Sequence, residues 1–109
     1  MVLPGDVVLA KYPGIKATKT RPSLVVSTDL YHQTRPDVVL CLLTTQIPRG
    51  MNPTDYLLQD WAAAGLHKPS VFRAFFNTQM AAGLPIIGHL SDRDWSEVQA
   101  RLRLALAVT

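Results

Sequence analysis

Residues 37–45 read DVVLCLLTT, an unbroken apolar run closed upstream by Pro36 and downstream by the Pro- and Gly-rich segment IPRGMNP, 47–53. The run is shorter than an ordinary helix and offers no polar stripe to water, which suits a strand covered on both faces in the middle of a curled sheet. PSLVVS, 22–27, has the same character, and GDVVLAKY, 5–12, enters from a Pro-Gly turn. TDYLL, 54–58, and PSVFRAFF, 69–76, bring the predicted strands to five. Residues 13–21 carry three basic side chains without apolar periodicity and read as a loop. DWAAAGL, 60–66, predicts one short helix, with Asp60 as its cap and Gly65 as its end. The last segment predicts the long helix: Ser91 is its N-cap, Asp92 and Asp94 suit the positive end of its dipole, and Trp95, Val98, Leu102, Ala105 and Leu106 recur on one face. Strands come first and the helix last, so residues 1–109 are expected to form a single β-rich α+β domain, a small barrel-like sheet closed by a helix.

Hydrophobic residues at 48% against 17% charged describe a globular chain with one core. The net charge of +3 permits a polyanionic partner without requiring one, and seven of the eleven basic residues are Arg, the better planar clamp for phosphate. Cys41 stands alone inside an apolar run, so no intramolecular disulfide is expected. The start, MVLPGDVVLA, lacks the marks of a signal peptide, and no apolar run reaches membrane-spanning length. The expectation is a soluble, cytoplasmic protein with no membrane partner.

Several chemistries lack their signatures. There is no Gly-rich phosphate loop, no Cys/His cluster for a metal and no nucleophile elbow, and His32, His67 and His89 are far apart in sequence. No metal ligand and no cofactor is therefore expected. Trp61 and Trp95 read as core anchors. What remains is polar side chains at strand ends: Thr18, Lys19, Thr20 and Arg21 before one strand, Thr44, Thr45 and Gln46 after the next, and Arg73 within the fifth. If the second and third strands are antiparallel neighbours, the first two groups share one sheet edge. Cationic and hydroxyl donors there suit the extra negative charge of a pentacoordinate phosphorane. Taken singly, each also has a plain structural use, Thr as a strand former and Arg-Pro as a turn entry.

The ordered series GDVVLAKY, TKTRPSLVVS, VLCLLTTQ, AGLHKPSVFRAFF and IGHLSDRDWSEVQARLRLAL resembles the MazF/PemK family of toxins from toxin–antitoxin pairs, over nearly the whole chain from Gly5 to Leu106. The resemblance implies a homodimer of small SH3-like barrels of the CcdB/PemK type, each with a C-terminal helix. It further implies metal-independent cleavage of single-stranded RNA at short motifs, by attack of the ribose 2′-hydroxyl on the adjacent phosphate, and neutralisation by a cognate antitoxin. Carried over by motif, Arg21 and Thr44 are the catalytic pair. Arg21 holds the scissile phosphate and serves the leaving oxygen, and Thr44 donates to a non-bridging oxygen. Thr18, Lys19, Thr20, Thr45, Gln46 and Arg73 are the implied RNA contacts. Two positions depart from the pattern: Lys16 and Phe75 stand where some members carry acids. The same fold also admits a non-catalytic toxin that binds a protein such as gyrase, and an inactive RNA-binding homologue.

Overall fold

A computed structural model describes residues 1–14 and 16–108. Among the described residues the chain order is β1 (Asp6–Pro13), β2 (Thr18–Val25), α1 (Asp29–Thr34), β3 (Asp37–Thr44), β4 (Tyr56–Leu57), β5 (Val71–Met80), β6 (Ile86–His89) and α2 (Asp92–Ala105). The strands form one antiparallel sheet in the order β4-β5-β3-β2-β1-β6. The apolar strand β3 and the buried second half of β2, Ser23–Val25, take the middle, while Thr18–Arg21 of β2 stay exposed.

Alternation along each strand sorts the side chains. Val7, Leu24, Cys41, Leu43 and Phe72 point to one face, where Val98, Trp95 and Leu102 of α2 pack on them. Val8, Ala10, Val25, Val38 and Leu40 point to the other, joined by Val2 and flanked by Ala81 and Leu84. The mainly β architecture with a C-terminal helix is the one the apolar runs predict.

Several boundaries differ from the sequence reading. Thr18–Arg21 are strand residues, because Pro13, Tyr12, Lys11 and Ala10 of β1 pair with them and supply the backbone partners that their polar side chains do not advertise. Segment 60–66 is a run of turns: Ala64 N–H reaches Asp60 O at 3.2 Å and Leu66 N–H reaches Trp61 O at 3.1 Å, but the stretch is too short to propagate a helix. α1 and β6 are additions, each six residues or shorter and without a periodic signature. β4 shrinks to Tyr56–Leu57, and β5 runs on to Met80.

The 60–66 turn closes the curl by lying on edge strand β6. Two glycines allow this contact. A Cβ on Gly88 would stand 2.0 Å from Ala64 O, and one on Gly65 would stand 2.2 Å from Ile87 O. Gly65 also has φ +86°, a left-handed conformation that other residues adopt at a cost.

Ser91 caps α2 as expected, its Oγ accepting from Asp94 N–H at 3.3 Å. Asp94 does more than suit the dipole. Its fully buried carboxylate accepts from Tyr56 OH at 2.6 Å and from the N–H groups of Gln59 (3.0 Å) and Asp60 (2.8 Å), tying the helix to β4 and the turn. Asp60, in turn, caps no helix of its own segment and instead holds the start of α2. Its carboxylate accepts from Ser91 Oγ and takes both Nε and Nη2 of Arg93 at 2.7 Å. Of the predicted apolar face, Ala105 and Leu106 stay exposed, past the last buried turn.

Candidate active site

Arg21 pairs with Ala10 on β1, while the ladder between β2 and β3 begins only at Ser23 opposite Leu42. Pro22 stands just before that ladder and has no N–H to extend it. β2 and β3 are antiparallel neighbours as expected, and their register, continued two residues past the bonded ladder, would bring Arg21 level with Thr44. Arg21 is exposed and Thr44 half-buried. The N–H of Gln46 donates to Thr44 Oγ1 at 3.1 Å. Accepting there fixes the hydroxyl oxygen and leaves its proton to donate outward. Gln46 thus acts through its backbone, and its exposed side chain is free to meet a ligand.

Arg73 reaches the same face from β5. Thr44 pairs with Val71 and Leu43 with Phe72, and then the register shifts, resuming at Cys41 opposite Phe76. Arg73, Ala74 and Phe75 occupy that irregularity, and a bulge re-aims side chains. β3 lies between the strands that carry Arg21 and Arg73, and alternation puts both side chains on one face of the sheet. Arg73 Nε lies 3.7 Å from Oδ1 of Asp55, a carboxylate only 3% exposed beside an arginine 44% exposed. No signal in the sequence marks Asp55. Its place opposite Arg73 follows from pairing Tyr56 with Phe72 and stepping back one residue.

A polar seam continues from this corner along the same face. Tyr12 OH and Ser23 Oγ share a hydrogen bond of 2.6 Å, and Asn77 Nδ2 donates to Tyr12 OH at 2.9 Å. The other implied contacts divide. By alternation Lys19 shares the face of Arg21, whereas Thr18 and Thr20 point to the opposite one. Thr45 also leaves its neighbour: it lines a cavity of about 530 Å³ behind the site, with Leu9, Pro22, Leu66, Ile87 and the exposed Lys68. Phe75 is 55% exposed, and Phe76 packs on the core.

His32, His89 and Cys41 are engaged elsewhere, whereas the exposed His67 lines the same cavity as Thr45. His32 follows the far end of β2 from Arg21, with Nε2 at 2.6 Å from Ser27 Oγ, so it is not placed to exchange protons with the site. His89 Nδ1 meets Asp6 at 2.8 Å. Burial pushes the Cys41 thiol up to about 12, which makes it a poor nucleophile. Among the described residues, no three His, Cys, Asp or Glu side chains gather as metal ligands would, and no helix is long and apolar enough to cross a membrane.

The sequence matches the family described as "PemK-like, MazF-like toxin of type II toxin-antitoxin system" over residues 3–106. The chain belongs to the PemK/MazF-like toxin family. No curated protein matches it. Solved structures of similar fold include an endoribonuclease in complex with its cognate antitoxin from a mycobacterial species, 22% identical with a TM-score of 0.77, covering 100% of this chain and 98% of that one. The Mycobacterium tuberculosis toxin MazF-mt6 is 20% identical with a TM-score of 0.76, covering 95% of this chain and 98% of that one. A chain of a MazE–MazF structure from Deinococcus radiodurans is 16% identical with a TM-score of 0.76, covering 99% of this chain and 98% of that one. The PemK/MazF-like fold is thus shared along nearly the length of the chain.

Proposed function

We propose that this PemK/MazF-like toxin is an endoribonuclease that cuts single-stranded RNA by 2′-hydroxyl attack. The observation that carries the reading is the antiparallel β2–β3 register, whose continuation would bring Arg21 level with Thr44, with Arg73 on the same face by alternation. An unstacked nucleotide lets the 2′-oxygen approach in line with the departing 5′-oxygen. The 2′-hydroxyl loses its proton to water, the P–O2′ bond forms and the P–O5′ bond breaks. The products are a 2′,3′-cyclic phosphate and a 5′-hydroxyl. The chain supplies orientation and charge. Arg21 spans a non-bridging oxygen and the departing oxygen, Thr44 donates to the second non-bridging oxygen, and Arg73 holds the phosphate from the other side. The proton that the departing oxygen finally carries comes from water. Lys19 and the side chain of Gln46 extend the contact to flanking nucleotides, Thr45 meets RNA only from the cavity behind the site, and Thr18 and Thr20 meet it only where it wraps the hairpin tip.

The partners follow from the same reading. The exposed apolar side chains Leu104 and Leu106 at the end of α2 are surface that a second copy would cover in a homodimer. A cognate antitoxin with an acidic segment complements the +3 charge. Messenger RNA in the cytoplasm is the substrate in this scheme.

The test is to incubate the purified protein with a long single-stranded RNA in EDTA and map the new ends. Cuts at a repeated short motif with 5′-hydroxyl termini are the expected result. Intact RNA together with inhibition of gyrase would replace this reading with that of a protein-binding toxin.

A further inference from the structure

We infer that Asp55 is the positioning residue for Arg73, the buried carboxylate that aims this second guanidinium at the scissile phosphate. The inference rests on the ribonuclease reading and adds to it a residue from a different element.

Three observations converge on Asp55. First, it is buried although it is an acid in a loop, and a buried carboxylate persists only where its oxygens find partners. Its two oxygens are divided between two tasks. Oδ2 accepts from Asn52 N–H at 3.1 Å, within a turn where Asp55 N–H also donates to Asn52 O at 2.9 Å. Oδ1 faces Arg73 Nε at 3.7 Å. Second, the ion pair is made through Nε, the inner nitrogen of the guanidinium, at a distance longer than a hydrogen bond, and the Arg73 side chain is 44% exposed. Third, Arg73 sits where the β3–β5 register is broken. Regular pairing therefore does not fix its direction, and the contact across to Asp55 takes over that task.

A carboxylate in this position has two opposite effects on catalysis. It orients the arginine, which favours the transition state, and it offsets part of the cationic charge, which weakens attraction for any phosphate. Removing the charge while keeping the shape separates the two. Asp55→Asn retains an oxygen for Asn52 N–H and loses the ion pair.

The experiment measures cleavage of single-stranded RNA by the wild-type protein, Asp55→Asn, Arg73→Ala and the double variant, with Arg21→Ala as the control for the site itself. Thermal unfolding is followed for each. Asp55→Asn is expected to lower kcat about tenfold with KM unchanged or lower, at an unchanged melting temperature. In the Arg73→Ala background it is expected to add nothing, because the group it positions is gone. An equal loss in both backgrounds, or wild-type turnover in Asp55→Asn, overturns the inference. A second readout does not need activity: the NMR resonance of Arg73 Nε–Hε is expected to move in Asp55→Asn, and an unmoved resonance overturns the pairing. Absence of cleavage by the wild-type protein itself would count against the ribonuclease reading, and the resonance would still judge the Asp55–Arg73 pair.

Discussion

Arg21 and Thr44 differ in how firmly the fold holds them, and that difference sets what their substitution does. Arg21 is exposed on a strand already paired along its other edge, so its side chain carries no packing. Arg21→Ala is expected to lower RNA cleavage by about 10²-fold or more, the usual loss when one charge-stabilising donor is removed, with the melting temperature unchanged. Thr44→Val keeps the β-branched shape of a strand residue but removes both the outward donor and the acceptor for Gln46 N–H. It is expected to cost a similar factor in kcat, and Thr44→Ser is expected to restore most of it. Kinetics beside calorimetry on the same preparations check both statements. Both residues stand out in the sequence as polar groups at the ends of apolar runs, and the family resemblance supplies the roles proposed for them. Asp55 does not stand out, since a single acid in a Pro-rich loop carries no mark of the arginine eighteen positions later that it faces.

At the scale of elements, the junction of α2 with β4 and the 60–66 turn is where charge is concentrated in the core. Asp94 is fully buried and satisfies a phenol and two backbone N–H groups. Asp94→Ala would strand all three donors and is expected to destabilise the fold by on the order of 3 kcal/mol, read by chemical unfolding. The same junction gives the protein a pH response at both extremes. Hydrogen bonds from Arg93 and Ser91 hold the Asp60 carboxyl down at about 2, below its ordinary value near 4. A depressed carboxyl contributes stability that is present above its unfolded value and is lost as pH falls through the folded one. Melting temperature is therefore expected to drop between about pH 4 and pH 2, and less steeply in Arg93→Ala. Burial, and then the hydrogen bond to Asp94, push the Tyr56 phenol up to about 12. A raised phenol stabilises fully below its ordinary value near 10, and that contribution is lost as pH rises from about 10 to 12. A titration of melting temperature across both ranges checks the signs.

For the molecule as a whole, closure of the curled sheet depends on two backbones touching. The turn at 60–66 and strand β6 approach so closely that a methyl group on Gly88 would overlap Ala64 O, and neither is the far end of a flexible side chain. Gly88→Ala is expected to lower stability by about 2 kcal/mol or more and to raise hydrogen exchange in β6 and in the turn together, since both edges of the contact loosen at once. Exchange confined to β6 would show that the turn does not close the curl. The cavity that holds Thr45 lies beside this contact, with Gly65 and Ile87 in its wall, so the same substitution reshapes it.

What the sequence determined by itself is what can be read inside a short window. The apolar runs fixed the central strands, Ser91 and the periodic residues after it fixed the terminal helix, and TRP with TTQ marked the ends that carry Arg21 and Thr44. Only the tertiary structure decided which face each residue takes and which distant segment it meets. Thr44 and Thr45 are adjacent in sequence yet serve opposite faces, because a strand alternates and the register with β2 and β5 says which parity points to the site. Thr18–Arg21 joined a strand, and DWAAAGL remained a turn, because partners elsewhere in the chain decide where such segments' backbone hydrogen bonds go. Asp55 and Arg73 meet because β4 and β5 pair in one register out of several possible. Local propensity is a property of neighbours along the chain, whereas register is settled only when the whole sheet buries its apolar faces at once.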